Sequence, residues 1–268
     1  MSKNHYMVPM DFTEISNRAL EFALFLGKRV QTEICLLHLA VSKEKAMAAQ
    51  GRLEEVIKNT VIPPGVELIP QAKQGSIFSD IGKIAKEDRT QLIVMGTHGM
   101  RGMQSLFGSH AMKVVTSAEC PFLIVQKHTP IKDIKRIVVP IDLTKESLQI
   151  VNIAGDMANI VGAEIYILAE KQTDEILNNR LKTRLSIVKK EYEDRGIEPN
   201  VTLMKQSGSY RSKIINFCKQ NAIDMIAFAY HSESLLPQFD KFAQNLITNK
   251  VGLPVMIVNS KLASALYF

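Results

Sequence analysis

The sequence predicts an α/β protein made of two tandem, doubly wound domains. Three observations lead to this fold class. Apolar runs of strand length alternate with segments of helical periodicity, the runs are apolar throughout rather than at every second residue, and the whole pattern occurs twice. Strands that are apolar on both faces belong to parallel sheets covered by helices on both sides. Each half is therefore expected to form a five-stranded parallel sheet with helices on both faces.

The duplication is visible in short motifs that return at a nearly constant distance. Residues 8–13, Val-Pro-Met-Asp-Phe-Thr, return as Val-Pro-Ile-Asp-Leu-Thr at 139–144, an offset of 131. The run at 121–125 returns at 254–258, an offset of 133. Such regularity indicates tandem duplication with a net insertion of two residues. We expect domains at residues 1–127 and 134–260, joined by a short polar linker.

The elements of the first half follow from its periodicities. Strands are predicted at residues 6–10, 33–39, 66–69, 92–95 and 122–125, where aliphatic and β-branched residues cluster. A first helix is expected after the start signal Thr13-x-x-Ser16, and its apolar stripe comprises Ala19, Phe22, Ala23, Leu26 and Val30. A second stripe comprises Ile77, Ile81, Ile84 and Ala85. Both apolar helix faces need the face of a sheet to pack against.

The second half repeats this plan. Its strands are predicted at residues 136–141, 164–168, 201–204, 225–229 and 255–258. The segment around residues 180–194 mixes basic and acidic side chains, which is typical of a solvated helix face.

Composition excludes several classes of protein. At 268 residues with 46% hydrophobic and 22% charged residues, the chain is globular rather than disordered. Its three cysteines lie far apart without a C-x-x-C pair, which favours free thiols in a reducing compartment. The longest apolar run, residues 34–41, is too short to span a bilayer, and no signal peptide is recognisable. We therefore expect a cytoplasmic protein without a membrane partner.

Net charge gives little support for nucleic-acid binding. The formal charge is +6, but the basic residues are scattered and tryptophan is absent. No cluster with metal-ligand spacing and no nucleophile–base constellation stands out, so the sequence favours neither a metal site nor an enzyme.

A ligand site is expected where the strand order of the first sheet reverses. In doubly wound sheets ligands bind beyond the carboxyl ends of the strands at this point. Asp11 follows the first strand, and the glycine-rich segment 96–103 follows the fourth. Gly96 and Gly99 would admit an anion to the main chain, and Gly108-Ser109 begins a helix whose amino terminus favours phosphate. The alternative is structural, because glycines and an aspartate after strands also serve turn geometry.

The combined motifs resemble the universal stress protein family. They are residues 8–13, Leu-Leu-His-Leu at 36–39, Met-Gly-Thr-His-Gly at 95–99, Gly108-Ser109 and Cys-Pro-Phe-Leu-Ile-Val at 120–125. The resemblance implies an adenine nucleotide alpha hydrolase-like fold and ATP, with or without Mg²⁺, or AMP as ligand. It implies that Asp11 holds the ribose or metal–phosphate region and that Leu39 offers main-chain contacts to adenine. Gly96, Gly99, Gly108 and Ser109 would wrap the phosphates.

The sequence departs from the family's ATP-binding pattern, Gly-x2-Gly-x9-Gly-Ser/Thr, in one place. Eight residues, 100–107, separate Gly99 from Gly108 instead of nine. This shortening makes phosphate contact by Ser109 less secure.

The second half lacks the glycines. Ala229, Ser232, Lys241 and Phe242 stand opposite Gly96, Gly99, Gly108 and Ser109, and Leu168-Ala169 replaces the step His38-Leu39. Asp142 keeps the position of Asp11. We expect at most one nucleotide site, in the first half.

The expected function is an ATP- or AMP-binding regulatory module of the stress response with at most slow hydrolysis. The alternatives are a nucleotide-independent scaffold for unknown protein partners and a carrier of a small apolar ligand in the second domain. The resemblance implies that the fifth strands pair, which gives a pseudo-dimeric monomer or a homodimer. Residues 262–268 are unusually apolar and are expected to dock on this chain or on another.

Overall fold

The computed structural model describes residues 4–97, 107–230 and 241–259, with the main chain alone at 107–110. The first half contains strands β1 (Asn4–Pro9), β2 (Thr32–Ala40), β3 (Val66–Gln74), β4 (Leu92–Thr97) and β5 (Phe122–Gln126), with helices α1 (Glu14–Gly27), α2 (Lys43–Lys58), α3 (Ile81–Glu87) and α4 (Phe107–Val115). The second contains β6 (Arg136–Pro140), β7 (Glu164–Glu170), β8 (Asn200–Met204), β9 (Met225–Tyr230) and β10 (Val255–Asn259), with α5 (Gln149–Val161), α6 (Glu175–Asp194), α7 (Tyr210–Gln220) and α8 (Lys241–Ile247).

The ten strands of the described residues form one continuous sheet in the order β3-β2-β1-β4-β5-β10-β9-β6-β7-β8. Pairing is parallel within each half and antiparallel only between β5 and β10. At this junction Leu123 stands opposite Met256, its counterpart in the duplication, so a pseudo-twofold axis passes between them. The predicted fold class is confirmed, including the intramolecular pseudo-dimer.

Two hydrophobic layers cover the sheet, one on each face, and both extend through the two halves. One layer contains Phe22 and Leu26 of α1 together with Ile150 and Ala154 of α5. The other contains Met112 of α4 and Leu246 of α8. Because each layer receives helices from both halves, the halves share their core rather than only a strand junction.

Three elements of the first half differ most from their predictions. Helix α1 ends at Gly27, so Val30 lies outside the helix although the predicted apolar stripe included it. Strand β3 continues past the predicted end at residue 69 and runs through Pro70 to Gln74. Its position at the edge of the sheet tolerates a residue without an N–H donor. Helix α3 begins at Ile81 rather than Ile77, because the Asp80 carboxylate accepts a hydrogen bond from the Ser76 N–H (2.7 Å) and holds the preceding residues in a turn.

The cysteines are free thiols, as predicted. Burial raises the pKa of Cys35, Cys120 and Cys218 to about 12 in each case. At neutral pH they remain protonated and are poor nucleophiles. None of the helices in the described ranges is both long and apolar enough to cross a membrane.

Candidate functional site

A crevice opens at the carboxyl edge of the first half, where β1 and β4 lie side by side and the strand order reverses. It encloses about 320 Å³ and is lined by residues from both strands, from β2 and from α4, among them Asp11, Thr13, Ile15, Leu37, Leu39, Ile77, Met95, Gly96 and Ala111. The structure thus brings Asp11, Leu39 and Gly96 together. Gly108 and Ser109 lie in the first turn of α4, whereas Gly99 lies outside the described residues.

The main chain of Leu39 faces this crevice. The Leu37 carbonyl accepts a hydrogen bond from Met10 N (2.8 Å) on the β1 side, and the Ala40 carbonyl accepts one from Gly75 N (2.8 Å) on the β3 side. Successive carbonyls of a strand point to opposite sides, so the Leu39 carbonyl points to the β1 side. Strand β1 ends at Pro9, which stands opposite Leu37. The N–H and C=O of Leu39 therefore lie beyond the end of β1 and have no partner strand there among the described residues.

Asp11 forms a turn. Its Oδ1 accepts hydrogen bonds from the Thr13 N–H (3.0 Å) and the Thr13 hydroxyl (2.6 Å). Partial burial raises the pKa of Asp11, but hydrogen bonds from Thr13 and Ser16 outweigh it and lower the pKa below its ordinary value. Asp142 makes the same two contacts with Thr144, at 2.8 and 2.5 Å. The turn is therefore a shared structural feature of both halves.

Gly96 has a packing role. A Cβ on this residue would lie 2.6 Å from the carbonyl oxygen of Ile15, in the first turn of α1. Helix α1 therefore rests directly on the main chain of β4. In the second half Ala229 supplies a Cβ at the equivalent place, and the corresponding turn, Glu146–Leu148, is a 3₁₀ turn that precedes α5. A contact of Gly96 with phosphate stays a prediction.

Phe12 lies between Asp11 and Thr13, two residues that line the crevice. It adopts a left-handed conformation with φ of 64°, which is costly for a residue with a side chain, whereas Leu143 does not. Its ring lies 5.0 Å from the His38 ring, and the Arg52 guanidinium stacks over it at 3.8 Å. His38 Nδ1 donates to the Met10 carbonyl (2.7 Å). These contacts fix the chain between β1 and Asp11.

The corresponding crevice of the second half is narrower. Its described residues enclose about 130 Å³. Tyr210 and Phe242 stack within it, with ring centres 6.3 Å apart, and Phe228 meets Phe242 edge-on at 6.2 Å. The Tyr210 hydroxyl donates to the Leu168 carbonyl (3.1 Å). Aromatic rings therefore occupy the space that the first half leaves open.

One sequence correspondence was wrong. Strand pairing sets Leu37 against Pro9 and Leu168 against Pro140, so the counterpart of His38-Leu39 is Ala169-Glu170 rather than Leu168-Ala169. The residues of β7 therefore correspond to those of β2 at the offset of 131 along the whole strand. Glu170, the counterpart of Leu39, forms an ion pair with Lys213.

Sequence reasoning missed Tyr210. At an offset of 133 it stands opposite Ile77, which lines the first crevice. The signal was available in the repeat itself, because an aliphatic residue in one half is replaced by a large aromatic residue in the other.

Comparison with known proteins agrees with the duplicated architecture. The model of the universal stress protein family matches residues 4–126 and again 133–259. A universal stress protein of Methanocaldococcus jannaschii is 27% identical over 137 residues, covering 45% of this chain and 81% of that protein. Universal stress protein YxiE of Bacillus subtilis is 28% identical over 148 residues, covering 46% of this chain and 99% of that protein.

A crystal structure shares the full fold. A universal stress protein from Archaeoglobus fulgidus superimposes with a TM-score of 0.77 and 18% identity, covering 97% of this chain and 100% of that one. Two successive family matches, together with a shared fold over nearly the whole length, lead to one conclusion: the chain belongs to the universal stress protein family, with two family domains in tandem.

Proposed function

We propose that the chain is a regulatory module that binds one adenine nucleotide, ATP or AMP, in the crevice of its first half. The observation that carries the proposal is the contrast between the two crevices: about 320 Å³ remain open in the first, and aromatic rings fill the second. A pocket at the switch point with apolar walls and a few polar main-chain groups suits a nucleoside.

The residues present fit the adenosine part of such a ligand. The projecting N–H and C=O of Leu39 form a donor–acceptor pair that complements the edge of an adenine ring, and Ile77 and Met95 supply apolar walls. The Asp11 carboxylate at the mouth suits a ribose hydroxyl. The phosphates would extend past the end of β4 at Thr97 and toward the first turn of α4, where backbone N–H groups favour an anion.

Catalysis is not part of this proposal. The described residues contain no group of three or more His, Cys, Asp or Glu side chains arranged to hold a metal ion, so we assign no Mg²⁺ ligands to the chain. We also assign no apolar ligand to the second crevice, because Tyr210 and Phe242 occupy it.

The test uses the repeat as its own control. The substitution Ile77→Tyr places in the first crevice the residue that fills the second, and Tyr210→Ile makes the reverse change. Thermal unfolding is followed with and without ATP or AMP. Ligand at about 100 times its Kd stabilises the folded chain by ~2.7 kcal/mol. We expect this gain in the unmodified protein and in Tyr210→Ile, and its loss in Ile77→Tyr.

The outcomes separate the candidate functions. No stabilisation of the unmodified chain by millimolar ATP or AMP would refute nucleotide binding and favour the scaffold. Stabilisation that Tyr210→Ile abolishes and Ile77→Tyr leaves intact would place the ligand in the second half instead.

A further inference from the structure

A second groove lies between the two halves, on the side of the first sheet where its strands begin. It encloses about 420 Å³ and is lined by strand residues, by residues that directly precede β4 and β5, and by one face of α5, among them Tyr6, Gln91, Cys120, Pro121, Ile153, Met157, Ile160 and Met256. Ile153 and Ile160 are only partly buried. The groove is distinct from the nucleotide crevice at the opposite, carboxyl edge of the same strands.

The pseudo-twofold counterpart of this groove is covered by the linker between the halves. Asp133 of the linker pairs with Arg29, two residues after the end of α1, at 2.6 Å, and Lys132 pairs with the buried Asp224 at 2.5 Å. Ile134 is 2% exposed and packs in the same core layer as Phe22. Nine residues, 127–135, thus follow β5 and close the groove beside α1.

The residues that follow β10 are the repeat counterpart of this linker. At the offset of 133, residues 127–135 correspond to residues 260–268, which lie outside the described part of the chain. Buried Thr129 and Ile134 correspond to Leu262 and Tyr267, and exposed Lys132 corresponds to Ala265. Residues 260–268 thus have apolar side chains at the positions whose counterparts in the linker are buried.

The residues that line the groove also differ from their counterparts on the other side of the pseudo-twofold axis. Arg29, which pairs with Asp133, corresponds to Ile160 at the offset of 131, and Asp133 corresponds to Leu266. Asp224, which pairs with Lys132, corresponds to Gln91, and Lys132 corresponds to Ala265. The two ion pairs that hold the linker thus correspond, on the side of α5, to the aliphatic pair Ile160–Leu266 and the uncharged pair Gln91–Ala265.

The path of the chain also brings the segment to this groove. Strand β10 ends at Asn259, whose side-chain amide donates to the Thr116 carbonyl in the first half (3.2 Å). The preceding residue, Val258, already lines the groove. In the same way Gln126, at the end of β5, donates to the carbonyls of Ile247 and Asn249 in the second half. Both segments therefore start beside the groove that they would cover.

We propose that residues 260–268 bind in the groove between α5 and the first sheet of the same chain, as residues 127–135 bind in its counterpart. Leu266 contacts Ile160, and Leu262 and Tyr267 are buried as Thr129 and Ile134 are.

The absence of tryptophan from the sequence permits a direct test in the full-length chain. The variant Tyr267→Trp carries its only tryptophan at a position expected to be buried, and Ala265→Trp carries it at an exposed one. We expect the first variant to show blue-shifted emission and severalfold weaker acrylamide quenching than the second. Adding Ile160→Asp to Tyr267→Trp removes the apolar contact in the groove and should restore the quenching of Ala265→Trp.

Each outcome decides the proposal. Equal emission and quenching in the two single variants would overturn it. So would protection that Ile160→Asp leaves intact, because the segment would then bind elsewhere. Protection that disappears on dilution, together with a dimer in light scattering, would mean that a second copy supplies the segment. Nucleotide binding in the other crevice does not affect these results.

Discussion

The substitution Gly96→Ala tests whether this glycine is required by packing. An added Cβ lies 2.6 Å from the Ile15 carbonyl oxygen and also overlaps the Ile15 side chain. The side chain could rotate, but the oxygen belongs to the first turn of α1 and can move only with the helix. Real Cβ atoms essentially never approach so closely, so α1 must shift away from β4.

The expected cost follows from this geometry. Overpacking of a core costs about 1–3 kcal/mol, and the involvement of main chain places Gly96→Ala near the upper end, ~3 kcal/mol. At about 2–4 °C per kcal/mol for a chain of this size class, the melting temperature should fall by ~6–12 °C. The urea midpoint should fall with it.

Gly51→Ala is the matched control. Gly51 lies within α2 with no atom within 4 Å of an added Cβ, so the same substitution should raise the free energy of unfolding by about 0.5–1 kcal/mol. Unchanged stability of Gly96→Ala in urea and in calorimetry would refute the packing argument. Loss of nucleotide binding without loss of stability would instead give Gly96 a role at the ligand.

Three further predictions concern local contacts. In Gly82→Ala the new Cβ would overlap the Ser117 carbonyl group, whose carbon would lie 2.8 Å away, so we expect a loss of ~2 kcal/mol or more in urea unfolding; a gain like that of Gly51→Ala would contradict this. Tyr210→Phe removes the hydrogen bond to the Leu168 carbonyl and should cost about 0.5–1.5 kcal/mol, and an unchanged urea midpoint would show that the bond contributes nothing. Because the folded state lowers the pKa of Asp11 from 3.8, the stabilisation linked to its charge is present above that pH and is lost as the pH falls through the lowered pKa. Acid unfolding of Asp11→Asn should lack this component, and identical pH profiles of the two proteins would rule it out.

The sequence predicted the fold well because its evidence was redundant. Ten apolar runs and a nearly constant repeat offset indicate the same topology, and Thr13 caps α1 where the start signal places it. Element limits were less predictable, since the continuation of β3 through Pro70 depends on its place at the sheet edge.

The site was predicted only in part. Residues from distant segments, Asp11, Leu39 and Gly96, do meet in one crevice because parallel strands bring their carboxyl ends together. The contact between Gly96 and Ile15 could not be read from the sequence, because it depends on the distance between a helix and a strand. The repeat sets Tyr210 opposite Ile77, but only the structure shows that its ring stacks with Phe242 inside the second crevice.

The antiparallel junction of β5 and β10 has a consequence for attempts to divide the protein. Cleaving the linker between the halves would leave them associated, because both halves contribute to the β5–β10 junction and to both hydrophobic layers. A half produced alone would present a bare, apolar strand edge to solvent, and such edges recruit other chains. Biochemical work on single halves would therefore report on aggregates or on new homodimers, and the intact tandem is the proper unit of study.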